Sequence, residues 1–212
     1  MSESKKQKMV TSPKGRAVWP KLNEPDTRFE PDGVYKVSLV VPAAEAKALI
    51  AALTKEFDAY YAAEVKEAKK KLKKADLPWS DVMNDAGEET GEVEFSFKMA
   101  AQYTTKKGEV VQQRPVLFDA KTRPMTDRVG GGSIIRVGFE PHFWNVPATG
   151  VGLSLRMKAV QVLELKQWSP SEKKASDFGF SEEEGFETAF NDEGTEGPQG
   201  TPDEEPGDGA GF

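Results

Sequence analysis

The chain has 212 residues, no cysteine and a formal net charge of −6 at pH 7. The lack of cysteine excludes a disulfide framework, a thiolate metal site and a cysteine nucleophile, and fits a reducing cytosolic setting. The length predicts one well-buried domain. No apolar run approaches the roughly 18 residues of a membrane span, so a soluble, non-exported protein is expected.

The net charge hides a division. Residues 169–212 hold 13 acidic residues and 2 lysines, a net −11, whereas residues 1–168 hold 22 acidic and 27 basic residues, a net +5.

In chain order, Met9 to Trp19 is broken by Pro13 and Gly15 and predicts an irregular or edge strand, followed by a loop rich in Pro, Asp and Asn. Gly33 to Val41 alternates, with Tyr35, Val37, Leu39 and Val41 on one side and Lys36 and Ser38 on the other, which predicts a half-buried strand. From Ala43 to about Lys74 the apolar spacing changes to three or four, which predicts one long helix with a lysine-rich C-terminal end. Asp76 to Gly91 is turn-rich, and Glu92 to Tyr103 alternates again as a strand. Lys106-Lys107-Gly108 predicts a hairpin turn into Val110–Phe118, and a second basic loop, Asp119 to Gly132, carries Lys121, Arg123 and Arg128. Ser133–Phe139 and Val151–Leu165 are the last two strands, with an aromatic loop, Pro141 to Pro147, between them.

Several short strands and a single helix predict a mainly β fold, an OB-like barrel of five or six strands with one long inserted helix. Beyond Trp168 there is no Val, Ile, Leu or Met, but 8 Gly, 4 Pro and five Phe. Such a segment cannot offset the entropy of ordering, so a folded domain at 1–168 and a disordered acidic tail at 169–212 are expected.

Holding a nucleic-acid strand without reading its sequence takes cations that follow the phosphates and flat rings on which bases stack. Strand faces offer Lys36, Lys98, Arg136, Arg156 and Lys158, and the loops add Lys106 and Lys107 beside Tyr103. Phe143 and Trp144 are the stacking candidates of the aromatic loop, and Trp19 and Trp79 are weaker ones that read more as packing residues. Enzymatic signatures are missing: His142 stands alone, and there is no Gly-x-Ser-x-Gly elbow or Walker sequence. Gly130 to Ser133 predicts a tight loop, and Asp81, Asp85, Glu88 and Glu89 miss the calcium-loop spacing. No cofactor, metal or catalytic residue is expected. Three other readings stay open: an RNA-binding or annealing chaperone, a non-enzymatic replication scaffold, and a metal-dependent nuclease built on Asp81, Asp85 and Glu88.

Gly33-Val-Tyr-Lys-Val37, Tyr60-Tyr-Ala-Ala-Glu-Val65, Phe95-Ser-Phe-Lys98, Gly130-Gly-Gly-Ser133, Pro141-x-x-Trp-Asn145 and Val162-Leu-Glu-Leu165, in this order and before an acidic tail closing on Phe212, carry a likeness across most of the chain. The chain resembles the single-stranded-DNA-binding protein of T7-like phages. That resemblance implies an OB-fold homodimer that coats single-stranded DNA in phage replication and recombination and assists annealing, in the cytoplasm of the infected bacterial host. It implies a tail that contacts the replication polymerase and helicase, here through Asp203, Glu204, Glu205, Asp208 and Phe212. By position, Trp144 matches the family's aromatic after the last loop and Arg136 falls among its basic strand residues. His142 departs from a family tyrosine and Asp32 from a family arginine. The expected binding set is therefore Lys36, Lys98, Tyr103, Lys106, Lys107, Arg136, His142, Phe143, Trp144, Arg156 and Lys158. A flexible tail of this length has an end-to-end distance of about 35–40 Å, against a body radius of gyration of about 15 Å, so it is expected to reach and compete for the basic surface.

Overall fold

A computed structural model of the chain describes residues 8–167 and residue 181. The strands are β1 (Val10–Thr11), β2 (Gly15–Asp26), β3 (Val34–Pro42), β4 (Trp79–Met83), β5 (Glu89–Ala100), β6 (Gln102–Thr104), β7 (Val110–Gln112), β8 (Val116–Phe118), β9 (Ile134–Val146) and β10 (Gly150–Glu164), with one helix, α1 (Ala43–Ala68), after β3.

Five strands close a ring in the order β2–β3–β5–β10–β9 and back to β2. All the ring pairings are antiparallel except β5–β10, which is parallel through Leu155↔Phe97 and Arg156↔Lys98. This is the expected OB-like barrel. β1, β4 and β8 extend it at β9, β5 and β10, while β6 and β7 form a separate two-stranded hairpin.

Period-two alternation builds the core. Val37, Leu39 and Val41 of β3, Phe95 and Phe97 of β5, Ile135, Val137 and Phe139 of β9, and Leu155 and Met157 of β10 are buried inside the ring. Each inward residue leaves its neighbours on the outer face. Helix α1 sends Ala46, Leu53 and Phe57 into the same core. Gly132 takes φ +85° in the tight loop expected at Gly130–Ser133, where the Ser133 hydroxyl donates to the Gly130 carbonyl and accepts from the Lys166 amide.

The structure corrects five expectations. Val110–Phe118, expected as one strand, is β7 paired with β6 and β8 paired with β10, with Pro115 between them. Helix α1 stops at Ala68, with Lys69 left-handed at φ 52°. The later residues keep their place against the helix without being part of it: the Tyr61 hydroxyl donates to the Leu72 carbonyl, and Lys74 bridges Asp58 at 2.8 Å. The loop expected after Trp19 is strand β2 as far as Asp26. Beyond Arg16 this strand pairs only with β3, so one edge lacks a strand partner and Pro20 and Pro25 fit there. Likewise the aromatic loop Pro141–Pro147 is strand through Val146, paired residue by residue with β10. The turn-rich stretch before β5 contains β4, which pairs with it as a hairpin.

Candidate nucleic-acid interface

Cross-strand register places four cations side by side on the outer face. Lys21 of β2 is opposite Lys36 of β3, Lys36 is opposite Lys98 of β5, and Lys98 is opposite Arg156 of β10. Three inter-strand steps of about 4.8 Å make this rank about 14 Å long. On β9 it ends at Glu140, the partner position of Arg156.

Two of the five cations in this region are already tied. Lys36 is bonded to Asp26 at 2.7 Å, and Lys158 to Glu140 at 3.2 Å. The Lys36 ammonium, with the Arg28 amide, holds the Asp26 carboxyl below its ordinary value. Lys21, Lys98 and Arg156 have no ion pair within 4 Å among the described residues. Partial burial draws the Arg156 guanidinium below its ordinary range while the Glu140 carboxylate opposes the shift.

Lys98, Arg156 and Lys158 line a groove of about 950 Å³, with Ser96 and Ser154 beside them and Tyr103 from the β6–β7 hairpin. Glu30 and Asp76 are the acidic groups in its lining. The Tyr103 ring is half exposed, so it offers a face at the edge of a basic floor. Its hairpin is held by a relay: the Gln112 side-chain amide donates to Gln102 at 2.7 Å, and Gln102 donates to the Asp32 carboxylate at 2.6 Å. Asp32 thus serves as the anchor of that hairpin.

The expected binding residues divide by position. Lys98, Tyr103, Arg156 and Lys158 meet in this groove, and Lys36 stands next in the rank, on the lining of a neighbouring hollow. His142 and Trp144 face outward on β9, His142 in register with Ser154 of the groove lining and Trp144 with Gly152. The Trp144 indole lies over Gly152, where any side chain would meet it, and its Nε1 donates to the Ser154 hydroxyl at 2.9 Å. Burial, then the Arg156 charge, lower the His142 pKa from 6.5, which leaves the imidazole neutral at pH 7. Lys106 and Lys107 sit exposed at the hairpin tip. Arg136 lies further along β9, opposite Gln161 and outside the groove. Phe143 points the other way: its ring stacks on Tyr60 at 5.4 Å and lies 6.5 Å from Phe57, so it fastens β9 to the helix. The tail positions Asp203, Glu204, Glu205, Asp208 and Phe212 lie outside the described residues.

Two further rings are exposed, one ranked low in the sequence analysis and the other passed over there. Trp19, read as a packing residue, is 83% exposed, and Phe29 in the β2–β3 loop is 87% exposed. Trp79, by contrast, does pack, 6.2 Å from Phe95.

A larger hollow of about 1090 Å³ beside β8 includes Lys121 and Arg123. Its chemistry is weaker for anions, because Arg123 is clamped on Asp119 at 2.6 Å, an arrangement that also lowers the Asp119 pKa. Among the described residues no three His, Asp or Glu side chains converge as metal ligands, and Glu88 accepts from its hairpin neighbour Asn84.

Comparison with solved structures finds the single-stranded DNA-binding protein gp2.5 of bacteriophage T7, with TM-score 0.67 and 27% identity over 86% of this chain and all of that one. The single-stranded DNA-binding protein of bacteriophage Enc34 in complex with ssDNA matches with TM-score 0.54 and 13% identity, covering 75% of this chain and 88% of that one, a likeness of fold. Comparison with curated protein sequences returns no match. Residues 16–165 match the family model described as single-stranded DNA-binding protein, bacteriophage T7, a span that holds every ring strand but the first residue of β2. The chain belongs to the T7-type family of phage single-stranded DNA-binding proteins.

Proposed function

We propose that the chain binds single-stranded DNA without reading its sequence, by laying the strand across the outer face of β3, β5 and β10. The observation that carries this is the register-matched rank Lys21–Lys36–Lys98–Arg156 beside the half-exposed Tyr103 ring. Cations at strand spacing answer the phosphates, and a ring at the groove edge answers a base. Neutral His142 and the pinned Trp144 extend the surface on β9 as a hydrogen-bonding and apolar wall. Lys106 and Lys107 add charge from the hairpin tip.

In this reading the protein coats and protects single strands during phage DNA replication and recombination, acts as a homodimer in the host cytoplasm, and is not an enzyme. Residues 169–212, at net −11, act as a tethered anion that competes with DNA for the basic face. When DNA displaces it, the tail is released to recruit replication proteins such as the polymerase and helicase. Its charge, opposite to the net +5 of residues 1–168, supports this arrangement.

Titration of labelled oligo(dT) across a salt series tests the reading. Affinity should fall steeply with salt and change little with sequence. Removal of residues 169–212 should raise affinity most at low salt. A preference for duplex over single strands at equal salt would refute the groove assignment, and an affinity indifferent to the truncation would refute the competing tail.

A further inference from the structure

Trp19 combines three features that packing does not explain. Its side chain is 83% exposed, its backbone φ is +47°, and it sits in a bulge of β2. The bulge is visible in the register: β2 takes three steps from Val18 to Lys21 while β3 takes two, from Ser38 to Lys36. Ala17 and Leu22, an odd number of residues apart, can therefore both face the core. In a regular strand Trp19 would follow Ala17 inward. The extra residue turns it outward instead, next to Lys21, the first cation of the rank.

A bulky residue at positive φ is disfavoured, and glycine would hold that backbone at no steric cost. An indole kept there, in water, is not used for the fold. The surroundings indicate its use: Trp19, Lys21, Arg28 and Lys36 line a hollow of about 550 Å³ that adjoins the main groove through the Lys36–Lys98 pair.

We propose that Trp19 is a base-stacking platform at the far end of the DNA path. The single strand enters over Tyr103, crosses Arg156, Lys98 and Lys36, and places a base on the Trp19 indole while Lys21 takes the adjoining phosphate. This rests on the single-strand-binding reading above and adds to it a second hollow, a direction and a terminal residue. The ligand class is any nucleobase of an unpaired strand, because every base presents a flat face.

The test is fluorescence anisotropy of labelled oligo(dT) with the full chain and its Trp19→Ala, Trp19→Phe, Trp19→Gly and Lys98→Ala variants. One lost stacking contact corresponds to about 5- to 150-fold weaker binding. Trp19→Ala and Trp19→Gly should show that loss with an unchanged salt slope, because the ring carries no charge, and Trp19→Phe should restore most of it. Trp19→Gly should melt no lower than the parent, which separates the affinity loss from unfolding. Binding by Trp19→Ala within twofold of the parent, with Lys98→Ala weakened, overturns the platform and leaves the groove standing. A change in self-association without a change in affinity also overturns it, in favour of a protein interface. Failure of the parent to bind oligo(dT) at all would overturn the functional reading itself.

Discussion

Removing Lys98 and Arg156 together tests the groove at its centre. The two side chains are register partners on the parallel β5–β10 pair and have no ion pair within 4 Å among the described residues. If each neutralises one phosphate, the single-strand salt slope loses about 0.7 per contact, or about 1.4 for the Lys98→Ala/Arg156→Ala double variant. Between about 50 and 200 mM salt that difference amounts to a factor of about 7, so the affinity lost at low salt should exceed the loss at high salt by that factor. Both substitutions leave the buried neighbours Phe97 and Leu155 in place, so the melting temperature should stay close to the parent's. Anisotropy titrations of oligo(dT) at four or five salt concentrations give the slope. Arg136→Ala, outside the groove, is the control and should leave the slope within error. A double variant with the parent slope, or an Arg136 variant with the shallower one, would refute the assignment of this face.

Phe143→Ala should cost about 3 kcal/mol in urea denaturation, the low end for a phenylalanine because the ring is only partly buried against Tyr60 and Phe57, and should leave the salt slope unchanged. Asp26→Asn should release Lys36 and steepen the salt slope by about 0.7, read by the same titration. Because Lys36 lowers the Asp26 pKa below 3.8, the pair's contribution to stability is complete above that pH and is lost as the pH falls through the folded value, so melting curves of parent and variant should converge in acid. His142 should titrate below 6.5 by NMR. Its depressed pKa means that stability is present above 6.5 and declines as the pH falls and the half-buried ring is forced to charge; Arg156→Gln should recover only part of the shift, since burial is the larger cause.

The barrel strands with strict alternation were legible in the sequence. Tyr35 to Val41, Val93 to Phe97 and Leu153 to Met157 placed β3, β5 and β10, and the cations between their core residues were located with them. Where the sequence misled, a local rule gave way to tertiary context. Prolines at 20, 25 and 141 read as loop, yet each lies where its strand is paired on one side only. Leu72 kept helical spacing without being helical, because the returning chain packs on Tyr61 at a position the next turn could have filled. Phe143 and Trp144 looked equivalent as neighbours in a loop. In a strand, neighbours face opposite ways, so one went to the helix and the other to the outer face. Trp19 was hidden for the reverse reason, because a bulge breaks the alternation that would have placed it in the core, and no composition signal marks a bulge.

The parallel β5–β10 pairing joins the ring through two registered residue pairs, and one of them is Lys98 with Arg156. These strands lie far apart in sequence, as do β2 and β9, which are likewise joined through two registered pairs, and such contacts carry a loop-closure cost. On the proposed path, a strand of DNA lying over both cations spans a seam of the barrel like a suture. Bound ligand would slow amide exchange at Phe97, Lys98 and Leu155, whose opening would have to release it, by up to the gain that mass action gives the whole domain. The protein that guards an exposed strand would, at that seam, be held shut by the strand it guards.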